Sequence, residues 1–367
     1  MNERTYKLLL NDFDTIHCAY YLEPFRHNGL NFESLFQKQE EINLSKKKYA
    51  EPIILGNAEF LLEPHGTKSG YSFLISNKNF KISFGEFNNP NFHVIFSSES
   101  LWKNTAFTLH EKFLEWALSI GYQPYIKESL SRVDYCFDFN LPEIDFNEDS
   151  FKSRSTKNSI YRENKTVQTF TLGRGGDIVL RVYDKIAEID QNSPHKAWFF
   201  KLWGQKTNVW RIEWQVKKKT LKRFDILTFD GLKTSLGDLL QYLATEHDTL
   251  RIPCKDSNKS RWPLHPLWES LINKISKLDC TGIYKTYDLQ PAFDLQLHRV
   301  AVAILGYSKR AAAIQSVQNN LECIDYKNAL KNIQPYINKI YDPLTWQNDV
   351  KRRKKEIELG KWSTKIK

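Results

Sequence analysis

At 367 residues and 41% apolar content, the chain has the material for a sizeable hydrophobic core and is not disordered. Its 53 Lys and Arg against 43 Asp and Glu give a formal charge of +10, which favours a polyanionic partner such as nucleic acid. Five cysteines (Cys18, Cys136, Cys254, Cys280, Cys323), none in a Cys-x-x-Cys arrangement, exclude a zinc ribbon and a disulfide framework and predict reduced thiols in a cytosol. Charges scattered through the first residues leave no place for a signal peptide, and no apolar run approaches the ~18 residues of a membrane helix. The expectation is a cytoplasmic protein with no membrane partner.

In chain order, residues 1–50 open with a strand-like run, Thr15 to Leu22, read as an edge strand, and turn polar toward Lys46-Lys47-Lys48. From 51 to about 100, runs at Pro52 to Leu55, Glu59 to Leu62, Tyr71 to Ile75, Phe80 to Phe84 and Phe92 to Phe96 alternate with Gly, Asn and Pro turn signals, as in an antiparallel meander. Helical spacing over Thr105 to Ile120 stops at Gly121. A strand from Arg132 to Phe139 follows, then a hairpin, Thr166 to Leu172 and Ile178 to Lys185, closed by Gly173-Arg174-Gly175-Gly176. Residues 186–205 look helical or mixed, with a break at Pro194. A strand at Val209 to Val216 runs into the basic stretch Lys217, Lys218, Lys219, Lys222 and Arg223. Leu236 to Glu246 and Leu267 to Leu278 read as helices, as do Ala292 to Leu305, Ser308 to Leu321 and Tyr326 to Ile340. Gly306 lies between two of these patterns, which suits a helical hairpin or, less well, a helix-turn-helix.

Three of these strands carry the chemistry. Alternation places Arg181, Tyr183 and Lys185 on one face of their strand, Arg132, Asp134 and Asp138 on one face of theirs, and Arg211, Glu213 and Gln215 on one face of a third. Each set taken singly is satisfied by packing or by a cross-strand ion-pair ladder. Together they equip a site for transesterification of a phosphodiester, in which a phenolate attacks phosphorus while carboxylates hold a divalent cation. Asp134 and Glu213 are the preferred ligands for Mg²⁺ or Mn²⁺, with Asp138 as a third candidate. Arg181 has the planar fork that matches phosphate oxygens and is expected to favour the phenolate. His93 is an accessory candidate as ligand or acid/base group.

The order Arg-x-Asp-x-x-x-Asp, then Leu-Arg-x-Tyr-Asp-Lys after a Gly-rich turn, then Arg-x-Glu-x-x-x-Lys resembles the trans-acting replication initiation factor family: rolling-circle initiators of plasmids and related elements, and relaxases of some conjugative transposons. The residues carrying it are Arg132, Asp134 and Asp138; Thr171, Gly173, Leu180, Arg181, Tyr183, Asp184 and Lys185; and Arg211, Glu213 and Gln215. The match covers roughly residues 50 to 270. Cys136 and Phe137 depart from it, standing where the family often has smaller side chains. Metal binding in this branch relies on acidic residues, and none of the nine histidines here forms a His-x-His pair.

The resemblance implies an α+β fold with a central antiparallel sheet flanked by helices. It assigns residues 51–270 to the catalytic domain, with 1–50 joining its core and 271–367 as a helical accessory region for DNA binding or dimerisation. The implied activity is nicking and rejoining of one strand at an origin through a covalent 5′-phosphotyrosine on Tyr183. Arg132, Arg211, Lys217, Lys218, Lys219, Lys222 and Arg223 would contact double-stranded origin DNA, opened locally to a single-stranded nick site, and a host helicase and a homodimeric partner are further expectations. A relaxase acting at a transfer origin would use the same chemistry, and a catalytically silent DNA-binding regulator is the alternative of another class.

Overall fold

Long alternating runs make long strands, and here they join into one sheet. The computed structural model describes residues 6–25, 30–44, 50–193, 196–278 and 290–358. Its strands are β1 (Lys7–Pro24), β2 (Glu51–Leu55), β3 (Ala58–Leu62), β4 (Phe73–Ser76), β5 (Phe80–Phe84), β6 (Phe92–Phe96), β7 (Tyr122–Asn140), β8 (Phe151–Ser153), β9 (Asn158–Glu163), β10 (Thr166–Leu172), β11 (Ile178–Asp184), β12 (Val209–Lys217) and β13 (Asp248–Leu250). Eleven of them form an antiparallel sheet in the order β2-β3-β4-β5-β6-β1-β7-β12-β11-β10-β9, while β8 and β13 pair separately. The helices are α1 (Phe32–Leu44), α2 (Ser98–Lys103), α3 (Ala106–Ser119), α4 (Lys185–Asn192), α5 (Phe199–Trp203), α6 (Lys218–Arg223), α7 (Phe229–Tyr242), α8 (Pro266–Ile275), α9 (Gln290–Gln318), α10 (Tyr326–Ile340) and α11 (Pro343–Glu358).

The N-terminal run is no edge strand. β1 lies at the centre, bonded to β6 on one side and β7 on the other. Alternation reports which face a side chain takes but not which strands flank it, so the sequence left this position undetermined.

One face of the sheet is a continuous core. Phe36 of α1 packs on Phe73 at 4.6 Å, Trp116 of α3 on Phe60 at 5.2 Å, and Trp268 of α8 on Trp214 at 5.6 Å. Among the described residues, the opposite face carries only a small apolar cap, made by Trp102 of α2 with Ile189, Trp198, Phe199 and Trp203 of the α4–α5 segment. Away from that cap, outward side chains such as Ile54 and Leu61 are exposed. Among the described residues the two faces therefore differ: one is closed along its length, and the other is closed only at one end.

Two short turns fix the register of the site strands. Gly173 sits at φ +84° where a Cβ would meet the Ile178 carbonyl at 2.3 Å, so the β10–β11 hairpin requires glycine there. At the other end of β11 the strand stops one residue earlier than its alternation suggests: Asp184 caps α4, accepting from the Ile186 and Ala187 amides at 2.9 and 3.0 Å. Pro194 lies outside the described residues.

The chain divides into two compact units, residues 1–286 and 287–367. Residues 271–278, read on sequence with the C-terminal region, belong to the first unit, because Leu271 and Ile275 of α8 are buried in its core. In the second unit α9 runs unbroken through Gly306, so the helical hairpin and the helix-turn-helix expected there are both absent. Gly lowers helix propensity by about 1 kcal/mol but does not by itself end a helix. No helix among the described residues is long and apolar enough to cross a membrane.

Candidate active site

The capped face carries the three motifs in register. Opposite residues on β11 and β12 are Arg181 with Glu213 and Tyr183 with Arg211; on β12 and β7 they are Arg211 with Asp138, Glu213 with Cys136, Gln215 with Asp134 and Lys217 with Arg132. Paired residues share a face. All three strands thus turn their polar sets to the same side, as the alternation predicts.

Two clusters result. In the first, the Tyr183 hydroxyl donates to Glu213 Oε2 at 2.8 Å, and Arg181 donates to Glu213 Oε1 at 2.9 Å and to Gln215 Oε1 at 2.8 Å. Beside them Arg132 grips Asp134 with two hydrogen bonds, one of 2.8 Å from Nε. Burial pushes the Asp134 carboxyl up to about 6; hydrogen bonds from Arg132 oppose that shift and the charge of Glu213 adds to it. Burial and then Glu213 also push the Tyr183 phenol well above its ordinary value. Against the expectation that Arg181 would favour the phenolate, burial and Glu213 outweigh the cation that opposes them, Arg211. The Arg181 guanidinium is spent on Glu213 and Gln215, and the phenol is neutral with its proton aimed at a carboxylate.

In the second cluster Arg211 is fully buried. It donates to Asp138 at 2.6 and 2.9 Å and to Asp14 at 2.7 Å, while Trp203 Nε1 donates to the same Asp138 carboxylate at 2.9 Å. The guanidinium carbon lies 4.7 Å from the Phe199 ring centroid. Burial opposes ionisation of Asp14, but Arg211, Lys196, Lys185 and the Ser98 hydroxyl outweigh it and hold the carboxyl well below the usual range. Asp14 reaches this cluster from a β-bulge between Phe13 and Thr15, which re-aims it toward the polar face.

The predicted residues thus part company. Tyr183, Arg181, Glu213, Asp134 and Arg132 come together. Asp138, the third metal candidate, is 0% exposed and filled by Arg211 and Trp203, and Arg211, expected to contact DNA, is likewise 0% exposed. Lys185 is buried, paired with Glu188 at 2.6 Å, and lies 5.6 Å from the Tyr183 ring centroid rather than at its hydroxyl. Lys218, Lys219 and Lys222 are exposed on α6, with Lys217 and Arg223 half-buried. His93, on β6, is separated from β11 by β1, β7 and β12, about 19 Å at ~4.8 Å per strand. It packs instead against His17 of β1, ring centroids 5.5 Å apart.

Asp14 and His17 escaped the motif reading, as did the aromatic cap. An Asp-x-Asp spacing in residues 12–14 was the available signal for Asp14, but the strand was read as starting at Thr15. Among the described residues, no group of three or more His, Cys, Asp and Glu side chains gathers at metal-binding spacing. Asp134 and Glu213 stand as a pair of buried carboxylates, with Gln215, whose Oε1 accepts from Arg181, opposite Asp134 in the register.

The fold is α+β, a large antiparallel sheet flanked by helices with a helical C-terminal region. No family model matches the chain, and no curated protein matches it. Among solved structures it is similar to a rolling circle replication initiator protein from Geobacillus stearothermophilus, with 18% identity and a TM-score of 0.44, over 74% of this chain and 97% of that one.

Proposed function

We propose that this protein initiates rolling-circle replication by nicking and rejoining one DNA strand through Tyr183. The observation that carries the reading is the Tyr183 hydroxyl held 2.8 Å from Glu213 Oε2, with Arg181 fixing that carboxylate. A buried phenol of raised pKa is a poor nucleophile until a base takes its proton, and Glu213 is the base in reach. In the nicking step Tyr183 Oη passes its proton to Glu213 and forms a bond to phosphorus. The bond from phosphorus to the 3′ oxygen breaks, and that oxygen takes a proton from water. Rejoining is the reverse, with the phenol recovering its proton from Glu213. The order of the three motifs, which resembles the replication initiation factor family, supports the same reading.

Asp134 and Glu213 are hard oxygen ligands of the kind that Mg²⁺ or Mn²⁺ takes, and one or two protein carboxylates are enough; the ion would replace hydrogen bonds that Arg132 and Arg181 now make to them. Burial is the main cause of the raised Asp134 pKa, with the charge of Glu213 adding to it, and a dication held between the two carboxylates would favour their ionised forms. When bound, the ion would neutralise charge on the scissile phosphate. Arg181, with its side chain 35% exposed, is placed to reach a phosphate oxygen, and the exposed lysines of α6 supply affinity that falls with salt.

The test is a covalent adduct. Wild-type protein is incubated with Mn²⁺ and a single-stranded oligonucleotide from its own element's origin, then run on a denaturing gel. A shifted band that Tyr183→Phe does not give supports the reading; the same band from both proteins sinks the assignment of the nucleophile. A relaxase would give the same adduct with a transfer-origin oligonucleotide instead. A silent regulator would bind DNA and give none.

A further inference from the structure

The open half of the site face carries side chains that nicking at Tyr183 does not use. His17 of β1 lies opposite Arg132 of β7 and packs on His93 of β6, and Tyr71 follows with its ring centroid 6.4 Å from that of His93. Four residues beyond His17 on the same strand, Tyr21 meets Tyr125 edge to face at 6.4 Å. Among the described residues, none of these rings belongs to a hydrophobic core cluster. His17, His93, Tyr71 and Tyr21 are half-buried, and Tyr125 is 49% exposed. The Tyr71 hydroxyl is already committed to the Pro90 carbonyl at 3.1 Å, which pins the ring. Burial, Arg132 and His93 lower the His17 pKa to about 4, and burial lowers that of His93, so both rings are neutral at physiological pH.

Aromatic rings that keep part of their surface exposed are what unpaired bases stack on, and a backbone running beside them needs cations. The cations are present: Arg132 and Lys217 face each other at the end nearest Tyr183, and exposed Lys81 of β5 points to the same side as His93. The far end is marked by the Glu23–Gln123 hydrogen bond of 3.1 Å. We infer that this aromatic file is a track for single-stranded DNA, on which bases flanking the phosphate at Tyr183 stack against His93, Tyr21 and Tyr125 while their phosphates follow Arg132, Lys217 and Lys81. The position of the track relative to the cut rests on the nicking role of Tyr183; the binding itself does not. It also commits the strand to one side of Tyr183, toward β1 and β6 and away from exposed Tyr161 on β9.

Fluorescence anisotropy with a 5′-labelled single-stranded oligonucleotide tests it on the full chain. Replacing a stacking ring costs ~1–3 kcal/mol per base, so Tyr125→Ala, Tyr21→Ala and His93→Ala should each weaken single-strand binding by roughly 5- to 150-fold. Tyr125→Phe should keep most of the affinity, and duplex binding should change little in all four. Thermal unfolding confirms that each variant is folded, and Tyr125, the most exposed ring, carries the conclusion if another variant does not fold. Unchanged single-strand affinity in Tyr125→Ala, or an equal loss in Tyr161→Ala, overturns the track. The two proposals fail separately. If wild type forms no adduct but Tyr125→Ala still loses binding, the track stands without the nicking; if the adduct forms and the ring variants bind normally, the nicking stands without the track.

Discussion

Two arginine–carboxylate clusters share one face of one sheet, on the same strands and from the same short motifs, yet they have different natures. Arg211 with Asp138 and Asp14 is sealed under Trp203 and Phe199, and every charge has a counter-charge at bonding distance. In the other cluster Tyr183, Glu213 and Asp134 are buried too, but the side chains of Arg181 and Arg132 that hold the two carboxylates are 35% and 29% exposed. Sequence chemistry does not separate them; cover does. A sealed, fully paired cluster holds strands in place, because its partners cannot be exchanged for a ligand without unpairing a buried charge. A cluster with an open side can trade one partner for a phosphate or a metal ion.

The comparison breaks most directly at its sealed end. Asp138→Ala leaves Arg211 buried with half of its counter-charge, and should destabilise the protein by about 3–5 kcal/mol, read from urea unfolding. At the open end, Glu213→Gln should cost stability far less but slow adduct formation by roughly 10²- to 10⁴-fold, the usual weight of a general base. If Glu213→Gln proved the more destabilising of the two, the division into structural and chemical clusters would be wrong. Trp203→Phe, which removes one donor to Asp138, should cost about 1–3 kcal/mol and leave the chemistry of Tyr183 in place.

Acid sharpens the same contrast. Asp14 has a folded pKa below its unfolded value near 3.9, so it contributes stability that is fully present above about pH 5 and is lost as pH falls toward the folded value. The stability difference between wild type and Asp14→Asn should therefore be flat from about pH 5 to 8 and shrink below about 4. The smallest effect lies on the surface. Replacing Lys218, Lys219 and Lys222 with serine should leave unfolding almost unchanged and reduce the salt slope of DNA binding by roughly one unit for each phosphate that is no longer neutralised.

Much of the site was legible in the sequence because strand alternation is local. The spacing of Arg181, Tyr183, Glu213 and Asp134 placed them on one face, and the hairpin at Gly173 put β10 beside β11. What Asp184 does was not legible, since a helix cap and a strand residue look alike until the chain turns. Arg211 and Asp138 were misread for a different reason. Their cover comes from α2 and the α4–α5 segment, which no pattern within β7 or β12 announces.

The sequence alone determined the strands, their polar faces and the kind of chemistry those faces can hold, since these follow from a period of two and from residue type. Only the tertiary structure decided which tyrosine–carboxylate pair meets and which arginine is sealed. Tyr183 and Glu213 are 30 residues apart and Arg211 and Asp14 are 197 apart, so both pairings depend on strand order and on what packs above the sheet. Neither is written in any local stretch of the chain.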